Sequence, residues 1–596
     1  MRIKSIFCLM LSLVMAFAIA GVSSAEQVYP AGTYEATTTG HNAPITVAVT
    51  LGDDAIENIE VTNDNETIGV GKIAIEKMTR RIVDEQSLAV DTITGATITS
   101  YAILNATRMA LTEAGVDVDA LSVEAEKEPA QDETYTADVI VVGGGGAGLA
   151  AAISAQQNGA SVVVVEKLDI LGGSTNISEG ALNAVDPVRQ GAQGIEDSYE
   201  NFITQTYEGG HQVGDMELIT YMCENSMATI EWMESIGVAF RDEVGTATGA
   251  LFQRSHYPTT PSGNSYIRVF EEYISEHTDA ITVLTGTTAT TLVTDEGEVT
   301  GVLATGKEGQ SVTLNANNGV ILATGGFGAN KELLAQYNTG VWAHVDVTAL
   351  GCTNMAQSAT GAGIEMATAI GADVTGMSDI QLHPCGTPGT GLMENIRTSG
   401  RNRIFVNSDG NRFVNEGAAR DTLAQAVLDQ EGQTYWIVVN SVRYPSRDYV
   451  DNNGATIANM VAQGSVIEAD TLEELAEKTG MSAENLISAI DNYNAIVRGE
   501  LEDELGFVAN NQADVEMTEG PWYACRKVAT VHHTMGGLKI NTDTQVIDTD
   551  GNVISGLYAA GEVTGGIHGS NRLGGNAIAD CMTYGKRAGE VAAANK

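Results

Sequence analysis

DVIVVGGGGAGLAAAISAQQNGASVVVVEK, from Asp138 to Lys167, decides the fold of this chain. An apolar, β-branched run (VIVV) breaks at four glycines, an alanine-rich stretch from Ala147 to Asn158 has the make-up of a helix, and SVVVV is a second apolar run. Strand, tight turn, helix and strand in that order make a βαβ unit of a nucleotide-binding fold. Gly143, Gly145 and Gly148 supply GxGxxG at the turn. The first permits the turn, the second lets backbone approach a pyrophosphate, and the third lets helix pack on strand, while the helix N-terminus favours the phosphate charge. Gly146 and Ala147 belong to the same turn. Glu166, at the end of the second strand, is placed for a ribose hydroxyl, with Lys167 beside it. NAD and FAD share this fingerprint, so the stretch alone leaves both open.

Working outward, GVILATGGFG is a further buried strand ending in glycines, and GLYAAGEVTGG near the C-terminus is another. Between about Asn338 and Asn510 helical segments such as LEELAEKTG dominate, as expected of a lobe inserted before the chain returns to the nucleotide fold. Ahead of the fingerprint, residues 29–62 carry short Thr/Val/Ile-rich runs that fit a small antiparallel sheet, and helical stretches follow around Ile73–Ile82 and Ser100–Ala114. LSVEAEKEPAQDET, acidic and aperiodic, reads as a linker.

The expected fold class is therefore α/β: a Rossmann-like dinucleotide-binding domain with an inserted α+β capping domain, preceded by a small α+β domain. The expected boundaries are a leader at 1–25, the small domain at 26–118, a linker at 119–134, the nucleotide domain at 135–337 and 511–596, and the cap at 338–510.

Length and composition agree with several globular domains, since 596 residues exceed what one core holds. The formal charge of −46 argues strongly against nucleic acid or anionic membrane as a partner. Arg2 and Lys4, an apolar run from Ile6 to Ala20 and Ser23-Ser24-Ala25 read as an export signal, which places the mature protein in the periplasm, outside the cell or at its surface. Beyond Cys8 the cysteines (Cys223, Cys352, Cys385, Cys525, Cys581) are too scattered for a metal cluster, no metal site is expected, and no CxxCH offers haem attachment.

Two late motifs carry chemistry: HHTMGG (His532–Gly537) and GSNRLGGNA (Gly569–Ala577). Glycine lets chain and cofactor approach, while His and Arg donate charge-assisted hydrogen bonds to a carboxylate. ATGG (Ala323, Thr324, Gly325, Gly326) and AAGE (ending at Glu562) resemble flavin-contacting segments of the fumarate reductase and succinate dehydrogenase flavoprotein family, which favours FAD. GGSTNISEG has Ser174 where the membrane-bound branch carries a histidine bonded to FAD, so the resemblance implies non-covalent FAD. It also implies cofactor contacts at Gly173, Thr175, Gly180, His533, Asn576, Ala577 and Ile578. After Thr136 the chain resembles soluble flavocytochrome c type fumarate reductases, with QLHP, ENIR, NRFVNEGAARD, HHTMGG and NRLGGNA in the family's order. By that resemblance His532 and Arg572 hold one substrate carboxylate, His383 touches the other end, Arg420 donates the proton, and Glu394 with Arg397 reprotonates it. Physics alone makes Arg420 a carboxylate clamp, because a guanidinium rarely yields a proton. Met393 stands where those reductases have a threonine that hydrogen-bonds substrate; a thioether cannot donate that bond.

DTITGAT (Asp91–Thr97) resembles the FMN-binding domain of electron-transfer subunits of sodium-pumping quinone reductases and Rnf-type complexes, whose last threonine is esterified to FMN phosphate. The implied attachment site is Thr97, and maturation then needs a flavin transferase. The expected function is reduction of the C=C bond of an α,β-unsaturated carboxylate in anaerobic respiration. Electrons from a membrane or extracytoplasmic donor pass through FMN to FAD. Fumarate leads as substrate; urocanate, methacrylate or an aryl acrylate remain open, as does an electron-transfer flavoprotein with no substrate of its own.

Overall fold

The computed structural model describes residues 29–124, 129–354, 357–451, 455–509 and 514–595. The expected leader at 1–25 lies outside the described residues. The small N-terminal domain is an antiparallel sheet of β1 (Gly32–Thr39), β2 (Pro44–Leu51) and β3 (Ile56–Asn63), backed by helices α1 (Gly71–Glu85) and α2 (Thr97–Ala114). Strand alternation sends Ile45, Val47, Val49 and Leu51 to one face, all buried. Against them lie Ala74, Met78 and Ile82 of α1 and Ile103, Ala106 and Ala110 of α2, each set at helical spacing. Burying each large aliphatic contributes roughly 1.5–3 kcal/mol, so this face holds the domain together.

The domain is docked rather than tethered. Leu168 and Ile170, just past the nucleotide fingerprint, belong to its hydrophobic core. Lys77 Nζ donates to the Asp169 carbonyl at 2.5 Å and the Thr94 N–H to the Asp169 carboxylate at 2.9 Å. At the expected linker Leu121 still packs on this core, its carbonyl accepting from Leu88 N–H at 2.7 Å.

The fingerprint folds as read: β4 (Glu133–Val142), α3 (Gly146–Gln157) and β5 (Val162–Val165). β4 pairs in parallel with β5 on one side and with Ser311–Leu322 on the other. Strands Ile281–Leu284 and Val553–Ala559 extend the sheet outward. The chain leaves β4 for one flank and returns on the other, so a crevice opens at the carboxyl end of β4, where nucleotides bind in such sheets.

The inserted lobe departs from its expected bounds. Its core is a five-stranded antiparallel sheet of Ile380–Gly386, Trp522–Thr534, Thr434–Asn440 and Ile404–Val406, with Val466–Ala469 on the long strand Trp522–Thr534. The return expected at residue 511 therefore comes after Thr534. The start moves as well: Ile364, Met366 and Ala367 of the helix Ala362–Thr368 belong to the nucleotide domain's core, and Val374–Thr375 pairs with Gly537–Leu538. Helical periodicity drew attention to 470–497, whereas the strand pairings that bound the lobe join segments some 150 residues apart and leave no local signal. No helix among the described residues is long and apolar enough to cross a membrane.

Candidate active site

The glycine turn is shaped for a phosphate group. At Gly143, with φ +108°, a Cβ would lie 2.3 Å from the Ala323 carbonyl oxygen, and at Gly148 a Cβ would lie 1.9 Å from the Gly143 oxygen. Neither position admits a side chain. Gly145 is different: its nearest neighbour would be the Gly172 oxygen at 4.0 Å. Space is thus left where the amides at the start of α3 converge, which suits a pyrophosphate. Glu166 closes the end of β5, its two oxygens each accepting a backbone N–H, from Gly144 and Leu168, at 2.8 Å. Burial pushes its carboxyl above the ordinary range. The Thr324 hydroxyl is buried without a protein partner, and Gly325 has open space around it. These features fit FAD.

Two expected cofactor side chains are committed elsewhere. Asn576 opens the helix Asn576–Ala594, but its carboxamide is taken by Asn183 at 2.8 Å and Thr206 at 3.1 Å. Lys167 donates to Thr360 at 3.2 Å. Both hold protein segments to each other, so only their backbone remains for the cofactor.

Beside the fingerprint lies a cavity of about 880 Å³ that reaches from Thr97 of the N-terminal domain to Arg572. Ser174, Thr175, Gly180, His533, Glu562, Ala577 and Ile578 of the expected flavin set line it; the fingerprint glycines and Ala323–Gly325 adjoin it without forming its wall. The cap strand Trp522–Thr534 delivers His532 and His533 to the cavity at its last turns of pleat, and the neighbouring strand Ile380–Gly386 delivers His383. Arg420 opens the cap helix Arg420–Leu428, with its side chain buried.

The guanidinium of Arg420 is fixed at both edges: Nε donates to the Thr248 carbonyl at 2.9 Å and one terminal nitrogen to Gln381 Oε1 at 3.0 Å. Gln381 in turn donates to the Arg572 carbonyl at 2.7 Å and to Asn571 at 3.0 Å. One carboxamide thus sets the spacing of the two arginines. Arg572 bonds the Leu573 carbonyl at 3.1 Å while its Nε has no protein partner. Burial, reinforced by Arg572, holds Arg420 well below the ordinary arginine range, and burial brings Arg572 down to about 10. Arg572 is protonated at neutral pH, and Arg420 is made a stronger acid than arginine in water.

The histidines are neutral donors, which corrects the expectation of charge. Burial, with His383 and the arginines adding to it for His532 and the arginines for His383, lowers both well below the usual histidine range. His383 Nδ1 accepts the Cys385 N–H at 3.2 Å, so the proton sits on Nε2, which is buried with no protein partner. His532 Nδ1 is held by the Thr353 hydroxyl at 2.7 Å. The positive charge beside these histidines is therefore supplied by Arg420 and Arg572 rather than by imidazolium.

The expected relay is only half assembled. Glu394 Oε1 lies 3.7 Å from His41 Nε2 of the N-terminal domain, and both side chains are nearly one-third exposed. Arg397 instead faces Glu179, at 3.8 Å. Gln381, Thr353 and Glu179 were missed: Gln381 and Glu179 lie inside quoted motifs and Thr353 lies in none, and polar residues that act on other side chains carry no spacing signal. Met393 does line the cavity. Thr97 is exposed at the first turn of α2, a helix with no side-chain cap, so its hydroxyl is not spent on capping.

Comparison with known proteins agrees with this geometry. The family model for the FAD binding domain matches residues 138–578, and that for the FMN-binding domain matches residues 40–112. The chain is 36% identical over 627 residues to the NADH:acrylate oxidoreductase of Vibrio harveyi, covering 95% of this chain and 61% of that relative. It thus spans about three-fifths of that protein's length. It is 34% identical over 566 residues to the urocanate reductase of Eggerthella lenta, covering 94% of this chain and 91% of the relative. A solved flavocytochrome c3 fumarate reductase in its open conformation superposes with a TM-score of 0.62 at 35% identity, over 78% of this chain and 79% of that one. The chain belongs to the FAD-binding family of fumarate reductase and flavocytochrome flavoproteins, with an FMN-binding domain ahead of the FAD-binding domain.

Proposed function

We propose that the protein reduces the C=C bond of an α,β-unsaturated carboxylate. The observation that carries this is the pair of buried arginines, spaced by Gln381, beside a neutral His383 whose Nε2–H has no protein partner. When bound, reduced FAD supplies a hydride, and FMN esterified to Thr97 supplies the electrons that regenerate it. The chain's residues do the rest. Arg572 and His532 hold the carboxylate conjugated to the double bond. As negative charge builds there, the Arg572 guanidinium is already aimed at it in a dry site, where such interactions lower the barrier most. Arg420, acidified by burial, delivers the proton to the other carbon. A relay of electrons alone needs no such acid, which weighs against a protein without its own substrate.

Fumarate is the first reading for the substrate, supported by the relatives named as fumarate reductases. A second reading, an enoate with a less polar far end such as acrylate or urocanate, is favoured by Met393 in the wall, since it gives a second carboxylate no hydrogen bond. The leader-like sequence supports an exported enzyme fed by an extracytoplasmic or membrane donor and matured by a flavin transferase. Anaerobic oxidation of a reduced dye across a panel of enoates tests the reading. Turnover with at least one enoate is expected; none with any would remove it.

A further inference from the structure

We propose that His211 is a positioning residue that holds Arg420 and Arg572 at their spacing from outside the cavity, by clasping the two segments that carry them. This rests on the enoate reductase reading above. Both nitrogens of the His211 ring are engaged, each on a different segment. Nε2 meets the Asp421 carboxylate at 3.0 Å, and Asp421 follows Arg420 in the cap helix. Nδ1 meets the Ser570 hydroxyl at 2.8 Å, and Ser570 stands two residues before Arg572. With the Nε2 proton donated to Asp421, Nδ1 accepts from Ser570, so the neutral ring satisfies both partners at once. Neither His211, Asp421 nor Ser570 lines the cavity. Within the site Gln381 already ties the same two segments, through the Arg420 guanidinium and the Arg572 carbonyl. A single tie fixes a distance and leaves the segments free to pivot about it; a second restrains the pivot.

The backbone beneath the ring is strained into place. His211 and its neighbour Gln212 both have left-handed φ, 59° and 60°. That conformation is costly for a residue with a side chain and persists where surrounding contacts impose it. Here the chain on either side is held: the Ser570 N–H donates to the Gly210 carbonyl at 3.0 Å, and a Cβ on Gly569 would lie 2.1 Å from the Gly210 oxygen. The turn before His211 therefore abuts the start of GSNRLGGNA directly, and the ring reaches from there to the cap. The His211–Asp421 pair is partly exposed, and such a pair adds little to folding stability. Its effect is expected on the geometry of the arginine pair.

The test uses the FAD-loaded holoenzyme with reduced dye and fumarate, acrylate and urocanate as substrates. Succinate and propionate serve as non-reacting probes, read by the perturbation of FAD absorbance. The variants are His211→Ala, His211→Gln, Asp421→Ala, Ser570→Ala and the double variant of His211→Ala with Asp421→Ala. His211→Ala is expected to lower kcat/KM for the best enoate by roughly fivefold, the upper end of what a partly exposed pair contributes. It should also weaken whichever probe the native enzyme binds, with the Tm of the FAD-loaded protein unchanged. His211→Gln, whose carboxamide can donate to Asp421 and accept from Ser570, should recover most of the loss; Gln212 shows that this backbone accepts glutamine. Asp421→Ala should match His211→Ala, and the double variant should be no worse than either, because each removes the same bridge. Ser570→Ala should lose activity in the same direction, and it carries the test if His211→Ala fails to fold. Two results overturn the proposal: native kcat/KM and probe affinity in His211→Ala, whether or not its Tm falls, or losses in His211→Ala and Asp421→Ala that multiply in the double variant. A native enzyme that reduces no enoate removes the functional reading itself, a separate outcome, and leaves the probe affinities to decide the clasp.

Discussion

The two ends of the cavity are built on opposite principles. At the Arg572 end the polar groups are buried and fixed by the protein: Arg420 by Thr248 and Gln381, His383 by the Cys385 amide, His532 by Thr353. At the Thr97 end the groups are looser. His41 and Glu394 are partly exposed and meet at 3.7 Å, Thr97 is exposed on the first turn of α2, and Met393 offers no polar contact. Fixed dipoles in a dry site are what bond rearrangement requires. A partly open junction is what a docked electron-carrying domain requires. Reaction chemistry is thus concentrated where the sequence motifs are densest.

The largest effect expected belongs to the open end. Thr97→Val keeps the shape of the side chain and removes the hydroxyl, so protein matured with a flavin transferase should lack one FMN by intact mass. Turnover from the physiological donor should be abolished, while reduction by small dyes that reach FAD persists. Dye turnover lost together with donor turnover would show that the two ends are not separable. At the closed end, Arg420→Ala with FAD retained should lower kcat by about 10²–10⁴-fold, the range for loss of a general acid. Near-native turnover would show that the proton reaches substrate from another group.

How much of this was legible in the sequence divides along the same line. The βαβ unit was readable because Gly143, Gly145 and Gly148 sit between two uninterrupted apolar strands, and local pattern and tertiary role coincide there. The FMN-side helices were readable because Ala74, Met78 and Ile82 recur at helical spacing. The lobe's limits were not, since Trp522–Thr534 finds its partners at Ile380–Gly386 and Thr434–Asn440, and register between distant segments is set by packing. At the site, His383, Arg420, His532 and Arg572, which line the cavity, were found through motifs. Gln381 and Glu179, which meet Arg420 and Arg397, were not, because their meaning lies in distances of 3.0 and 3.8 Å between segments far apart in the sequence. Histidine charge was misjudged for a related reason: burial, invisible in a motif, outweighs the residue's ordinary basicity.

Burial at the closed end also has a cost that can be measured. Glu562, which accepts the Thr534 N–H at 3.0 Å, is raised by desolvation to about 7. A carboxyl whose folded value exceeds its unfolded one adds stability that is fully present at acid pH, below the unfolded value, and lost as pH rises through about 7. The difference amounts to about 3 kcal/mol between the two limits. FAD-free protein should therefore resist denaturant better near pH 5 than near pH 8, other titrations held equal by comparison with Glu562→Gln, in which that part of the slope disappears. An identical slope in the variant would place the titration elsewhere and weaken the picture of a dry closed end.

The smallest effect expected tests the boundary between the two ends, at Met393. The Arg572 end can hold one carboxylate whatever the rest of the substrate is, so selectivity has to come from what the far part of the substrate meets. Met393 lines the wall there without a donor, and the Glu179 carboxylate shares the cavity. A second carboxylate placed against them loses a hydrogen bond to a charged group, which is typically about 1.5–3 kcal/mol, or roughly ten- to a hundredfold in kcat/KM. Fumarate should thus be reduced with a lower kcat/KM than some monocarboxylic enoate. Met393→Thr, which restores a hydroxyl at the cost of some apolar contact, should move the ratio toward fumarate by about tenfold, mostly through KM. If the native enzyme prefers fumarate over every monocarboxylic enoate and Met393→Thr leaves the ratio where it was, the distal contact comes from another residue. His383, with its unpartnered Nε2–H, is then the group to substitute next.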